Sequence, residues 1–171
     1  LDTADILGLI MVIPVDITKW WSSNNSLYFY YGSYSGTVAN TTLKNEGNFS
    51  YNFNSVNNFK LGEGVSAEIA GNYRGREIYA FMDVEPIWFV NLGFQKKFKN
   101  STIKLAFNDI FFTNGAVADT EFNDYKEHFN VRRDTRTFVI SYTYNFGNSN
   151  VPQRRKTGGA DDIKQRANGN G

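Results

Sequence analysis

Cysteine is absent from the sequence, and histidine occurs once, at His128. The first absence excludes a disulfide scaffold, thiolate zinc sites and cysteine nucleophiles. The second limits proton-transfer chemistry. Charge of one sign is also missing: 18 basic residues face 17 acidic ones, a net charge of +1. No electrostatic footprint for nucleic acid results. Proline is scarce, at 3 residues. The only long apolar run is ILGLIMVIPV (6–15), which is too short for a spanning helix and contains Pro14. That excludes a transmembrane helix, but a transmembrane barrel escapes the test because its signal is a weak alternation spread over many strands. The sequence opens on Leu1 with no basic-then-apolar signal segment, so a mature chain or a fragment is expected.

Aromatics are what the chain has in excess: 15 Phe, 10 Tyr and 3 Trp among 171 residues, with abundant Asn. The length suits one sizeable domain. RTFVISYTYNF (136–146) shows how the aromatics are used. Phe138, Ile140, Tyr142, Tyr144 and Phe146 point one way, and Thr137, Val139, Ser141, Thr143 and Asn145 point the other. Such alternation means a strand between two different environments.

Six further segments read as strands: 9–17, 26–36, 48–59, 65–73, 87–98 and 102–111. Phe49, Tyr51 and Phe53 oppose Ser50, Asn52 and Asn54. Val65, Ala67 and Ile69 oppose Ser66 and Glu68, with Asn72 on the polar side. Trp88, Val90, Leu92 and Phe94 oppose Asn91, Gly93 and Gln95. Ile103, Leu105 and Phe107 oppose Lys104, Ala106 and Asn108. The segment 26–36 is aromatic on both faces, so its register is ambiguous. A turn or two of helix is conceivable only in ADDIKQRAN (160–168). The chain is all-β.

The connections alternate in length. Those at 18–25, 60–64 and 99–101 are short, whereas those near 37–47, 74–86 and 113–134 are longer and polar. Short turns at one end and long loops at the other are expected of outer-membrane barrels, with the short turns in the periplasm. Several strands also reach the ~9–11 residues that cross a bilayer. Trp20, Trp21, Phe59, Phe98, Tyr144 and Phe146 fall beside the short-turn end, where a headgroup boundary would hold amphipathic rings. Lipid outside and water inside is the reading that follows, with Trp20, Trp21, Phe98, Tyr144 and Phe146 as membrane-interface aromatics.

Candidate sites are few. Glu68, Asn72, Lys104 and Asn108 are the lumen-facing candidates, joined on the polar face by Asn52, Asn54 and Asp16. They either line a solute path or hydrate and pair inside the barrel, polar lumens being the default. Asp119, Glu121, Asp124, Glu127 and His128 offer oxygen and imidazole donors, but their spacing matches no metal signature and a solvated loop is expected. Arg132, Arg133 and Arg136 would pair with lipid phosphate or with acidic loop residues. GEG (62–64) and GNYRGRE (71–77) lack the strand–glycine–helix context of a phosphate loop. No catalytic residues, metal or cofactor are expected, and the chain reads as not an enzyme.

ITKWW (17–21), NDIFFTNG (108–115), FVISYTYNFG (138–147) and the tail QRRKTGGADDIKQRAN (153–168) resemble the C-terminal part of an outer-membrane β-barrel family of Bacteroidetes, similar to TonB-dependent receptors. The resemblance covers about 1 to 168. It implies a last strand ending at the periplasm. It also implies a parent with a plug inside a larger barrel, coupled to the TonB system through an N-terminal part that nothing here matches. The expected architecture is thus the C-terminal portion of an antiparallel up-and-down transmembrane β-barrel, incomplete at about seven strands. Residues 1–147 would form the strands and 148–171 a polar, flexible periplasmic tail. The expected function is import of a bulky nutrient across the outer membrane. Its partners would be outer-membrane lipid, the rest of the barrel and plug, and the TonB system, without nucleic acid. The alternatives are a non-transport outer-membrane barrel for assembly or surface binding, and a soluble β-barrel holding a small apolar ligand.

Overall fold

The computed structural model of the chain describes residues 2–38, 41–122 and 125–146. Eleven strands follow one another: β1 (Thr3–Asp16), β2 (Trp21–Val38), β3 (Thr41–Gly62), β4 (Val65–Arg74), β5 (Glu77–Tyr79), β6 (Met82–Val84), β7 (Ile87–Lys97), β8 (Ser101–Asn108), β9 (Gly115–Phe122), β10 (Tyr125–Arg132) and β11 (Thr137–Tyr144). Seven of them form one sheet in the order β1-β2-β3-β4-β7-β8-β11, every neighbouring pair antiparallel. These are the seven strands that alternation picks out. They run up and down, and among the described residues the sheet is open: β1 and β11 each have a single neighbour.

Register explains why the alternation is so regular. Directly opposed residues of antiparallel strands point to the same side. One row crosses the whole sheet through Val15, Ser23, Asn57, Ile69, Leu92, Phe107 and Phe138. The adjacent row passes through Asp16, Ser22, Asn58, Glu68, Gly93, Ala106 and Val139. The row that starts at Trp21, next to a short turn, reaches Ile140 in the middle of β11. That stagger is the shear a tilted barrel wall requires.

The long connections hold structure that the sequence reading missed. β2 continues to Val38 and β3 begins at Thr41, so 37–47 is mostly a protruding hairpin and not a loop. The stretches 74–86 and 113–134 supply β5, β6, β9 and β10, a second sheet ordered β10-β9-β6-β5. Its base carries the small core of Val84, Ile87 and Ala118, with Met82 and Ala116 packed against it. Two boundaries also move. β2 starts at Trp21, inside the stretch expected as a turn, and β8 stops at Asn108, because Asp109 turns the chain with a φ of 45°. The expected tail 148–171 and the helical stretch 160–168 lie outside the described residues.

The GEG stretch has a plain structural role. Glu63 and Gly64 take φ of 49° and 75° between the paired Gly62 and Val65, the twist a tight hairpin needs. A Cβ on Gly64 would lie 2.6 Å from the Lys97 carbonyl oxygen. Gly64→Ala is therefore expected to destabilise the folded barrel by about 1–3 kcal/mol. Gly62→Ala, with open space around its Cβ, should cost less in the same urea titration.

Candidate functional site: the two faces of the sheet

One face is apolar and uncovered. Leu7, Ile69, Phe94, Phe138, Ile140 and Tyr142 are all exposed, Leu7 by 78% and Ile140 by 64%. Apolar residues gathered and exposed on one face mark a surface that an apolar neighbour would cover. Two aromatic levels bound the face. At the short-turn end Trp20, Trp21 and Phe59 cluster with ring centroids 5.7–6.2 Å apart, and Tyr144 meets Phe146 at 4.6 Å. Phe98, beside the 98–100 turn, belongs to the same end. At the other end Tyr51 stacks on Tyr73 at 5.7 Å and Trp88 meets Phe111 at 5.6 Å. Trp88 lies at the loop end of β7 and Phe98 one residue past its other end. At ~3.4 Å per residue they are about 34 Å apart along it. A tilt of ~40° makes that about 26 Å along a membrane normal, against a lipid-facing band of ≈ 25 Å.

The opposite face collects the polar residues. Glu68, Asn72, Lys104 and Asn108 all lie on it, although not as one cluster. Glu68 and Lys104 flank a shallow groove with Asn58, Ser66 and Gln95, floored at Gly93, which has no side chain. Asn72 joins an amide ladder instead: it donates to Asn52 Oδ1 at 3.2 Å and also bonds Asn54, which in turn donates to Asn52. Two residues further along β4, Arg74 meets Glu77 at 3.5 Å, and Glu77 accepts from the Tyr30 hydroxyl. Ser50, almost fully buried, donates to the Arg76 carbonyl at 3.0 Å. These bonds tie the β5 hairpin to the polar face. Towards β1 the face loses its polarity, since Ile6, Ile10 and Val12 occupy it and are exposed.

The rim at the loop end is held by Asp109, which is 2% exposed. Its carboxylate accepts from Thr113 N at 2.9 Å, Asn114 N at 3.1 Å and Thr135 Oγ1 at 2.6 Å, while its own N–H donates to Asn91 Oδ1 at 2.8 Å. Burial pushes this carboxyl up, but the hydrogen bonds from Thr135, Thr113 and Asn114 outweigh it and leave the group below its usual range. Asn108 donates to Thr137 at 2.9 Å. The motif NDIFFTNG is thus a staple between β7, β8 and the entry to β11. Asn108 serves this joint more than the lumen.

The loop candidates resolve into pairs. His128 and Asp119 face each other across β9 and β10 at 2.7 Å, Lys126 pairs with Glu121 at 2.5 Å, and Glu127 accepts from Tyr125. Asp124 lies outside the described residues. Arg132 and Arg136, expected to pair with lipid phosphate or with acidic loop residues, place their guanidinium groups 5.4 and 4.8 Å from the Phe112 ring centroid, a cation–π contact that the expectation did not include.

One group of residues escaped the sequence reading. Ser23, Asn25, Ser55 and Asn57 lie on the apolar face, in two opposed pairs on β2 and β3. Trp21 Nε1 donates to Asn57 Oδ1 (3.1 Å), Asn57 Nδ2 to Ser55 Oγ (3.1 Å), Ser55 Oγ to Asn25 Oδ1 (2.7 Å) and Asn25 Nδ2 to Ser23 Oγ (3.0 Å). The signal was present: in YNFNSVNNF the polar residues Ser55 and Asn57 continue the phase of Tyr51 and Phe53.

The model of the outer membrane protein beta-barrel family matches residues 1–144, and the chain belongs to that family. No curated protein and no solved structure matches it.

Proposed function

We propose that this member of an outer-membrane barrel family is a wall segment of a TonB-dependent-receptor-like importer of the Bacteroidetes type, passing a bulky nutrient without catalysing a reaction. Family membership makes it a β-barrel membrane protein of the outer membrane, in place of the soluble ligand-binding barrel. The observation that carries the transport reading is the groove flanked by Glu68 and Lys104, charged residues on the side away from the apolar face. An open sheet with a single-neighbour strand at each edge is a wall that other strands must complete. In this reading lipid covers the apolar face. The rest of the barrel and a plug meet the polar face and the edges, and the TonB system supplies the energy.

Cysteine scanning tests it, since this chain contributes no competing thiol. In intact cells carrying the full parent protein, a membrane-impermeant maleimide should label Glu127→Cys. Glu63→Cys and Asn100→Cys, beside the short turns, should react only after the outer membrane is permeabilised. Lys104→Cys and Glu68→Cys should react at a rate that changes when a protonophore removes the energy supply, because a coupled plug uncovers its lumen. Labelling indifferent to the protonophore would favour the non-transport barrel for assembly or surface binding.

A further inference from the structure

A cleft of about 530 Å³ opens on the polar side of the sheet, at its loop end. Register fixes its side. Asn52, Arg74 and Ile87 form one row across β3, β4 and β7, so Arg74 and Ile87 share the face of the lumen candidates. The second sheet contributes Ala116 and Val131, an opposed pair on β9 and β10, and Arg133 follows on the approach to β11. Ligand sites commonly measure ≈ 300–1,000 Å³, and the cleft falls within that range.

Two chemistries meet in it. Ile87, Ala116 and Val131 form an apolar wall, continuous with the small core at the base of the second sheet. Arg74 and Arg133 bring positive charge, and no acidic residue lines the cleft among the described residues. Arg133 is exposed, and its side chain has no hydrogen bond or ion pair among the described residues. Arg74 is only partly satisfied. Its Nη1 lies 3.5 Å from Glu77, which also accepts from Tyr30, while its buried Nε has no partner among the described residues. A carboxylate or phosphate offers such a guanidinium the paired acceptors that its planar fork matches.

We propose that this cleft binds the anionic end of an amphipathic solute. Arg74 and Arg133 hold a carboxylate or phosphate, and the apolar body rests on Ile87, Ala116 and Val131. The inference rests on the transport reading for the solute's onward passage, whereas binding is measurable without it. An outer-leaflet lipid phosphate has the same chemistry, but the placement argues against that source. The cleft lies on the opposite face from Phe94, Leu105 and Phe138, which the lipid covers, so its ligand arrives from water.

The test is equilibrium dialysis of the detergent-folded full parent barrel, corrected for empty micelles. The probes are naphthoate, an aromatic carboxylate, its uncharged counterpart naphthamide, and acetate, which lacks the apolar body. Naphthoate should bind saturably with a Kd below about 1 mM, and the other two at least tenfold more weakly. Arg133→Gln changes an exposed side chain without partners, so the heat-modifiable fold should remain. It should weaken naphthoate at least tenfold and leave naphthamide unchanged. Arg74→Gln should act in the same way, and Arg133→Gln decides alone if that variant does not fold. Absence of saturable naphthoate binding overturns the proposal, as does equal affinity for acid and amide, or an Arg133→Gln variant that binds like the parent. Displacement of naphthoate by purified lipopolysaccharide would overturn the solute as the source. Naphthoate binding together with Lys104→Cys labelling that ignores the protonophore would keep the site and remove import; the reverse result would remove the site alone.

Discussion

Leu105→Arg should remove most of the folded barrel from the outer membrane, while Lys104→Ala, one residue away, should leave it nearly unchanged. Leu105 lies on the apolar face in mid-strand, flanked by Phe94 on β7 and Ile140 on β11. An arginine near the midplane of a barrel's lipid face costs ~2–4 kcal/mol, falling towards the interfaces. At ~1.4 kcal/mol per tenfold that is a factor of roughly 30 to 700 in the folded population. Phe107→Arg should cost less, because Phe107 lies one residue from the end of β8, where a long side chain can reach the interface. Ala106→Ser, opposite Gly93 on the polar face, should be mild. Heat-modifiability on gels of outer-membrane fractions measures the difference. Equal losses for the two faces would mean a sheet packed on protein and would sink the lipid-facing assignment.

The strands that could be read from the sequence are those on which the bilayer imposes two environments. Phe138 to Tyr144 alternate because every second residue of β11 shares a face with Phe107, Leu105 and Ile103. Outside the band that constraint vanishes. β5 is three residues long, and β10, YKEHFNVR, is exposed at all but one position, so no period marks them as strands. The start of β2 was hidden for a different reason. WSSNN reads as a turn because Ser23 and Asn25 occupy positions where a lipid-facing strand should be apolar, and only the pairing with Asn57 and Ser55 reveals their face. The residues that obscured the strand are the ones that form the polar patch. Glu68 and Lys104 were legible as polar-face residues by parity alone. Asp109 was legible only as part of a motif, since its partners Asn91 and Thr135 come from distant positions in the chain.

Asp109→Ala should lower barrel stability by about 3 kcal/mol, with Asp134→Ala on the exposed approach to β11 changing it by less than about 0.5 kcal/mol. The alanine leaves the N–H groups of Thr113 and Asn114 and the hydroxyl of Thr135 without their acceptor, in a site where Asp109 itself is buried. Each unsatisfied buried donor costs ≈ 1–3 kcal/mol, and water entering at the rim recovers part of the sum. The carboxylate also makes the rim acid-sensitive. Its folded pKa is depressed, so the stability it contributes is fully present above the unfolded value of about 4 and is lost as pH falls through the lower folded value. Urea titrations of the detergent-folded parent barrel at neutral pH and at a series of acid pH values should show this decline. Asp109→Asn should begin less stable, because its amide has only one acceptor oxygen for the three donors, and it should lose less on acidification than the parent. An Asp109→Asn variant whose acid decline matches the parent's would place the sensitive carboxylate elsewhere. One as stable as the parent at neutral pH would mean that the charge on Asp109 does not hold the turn to β11.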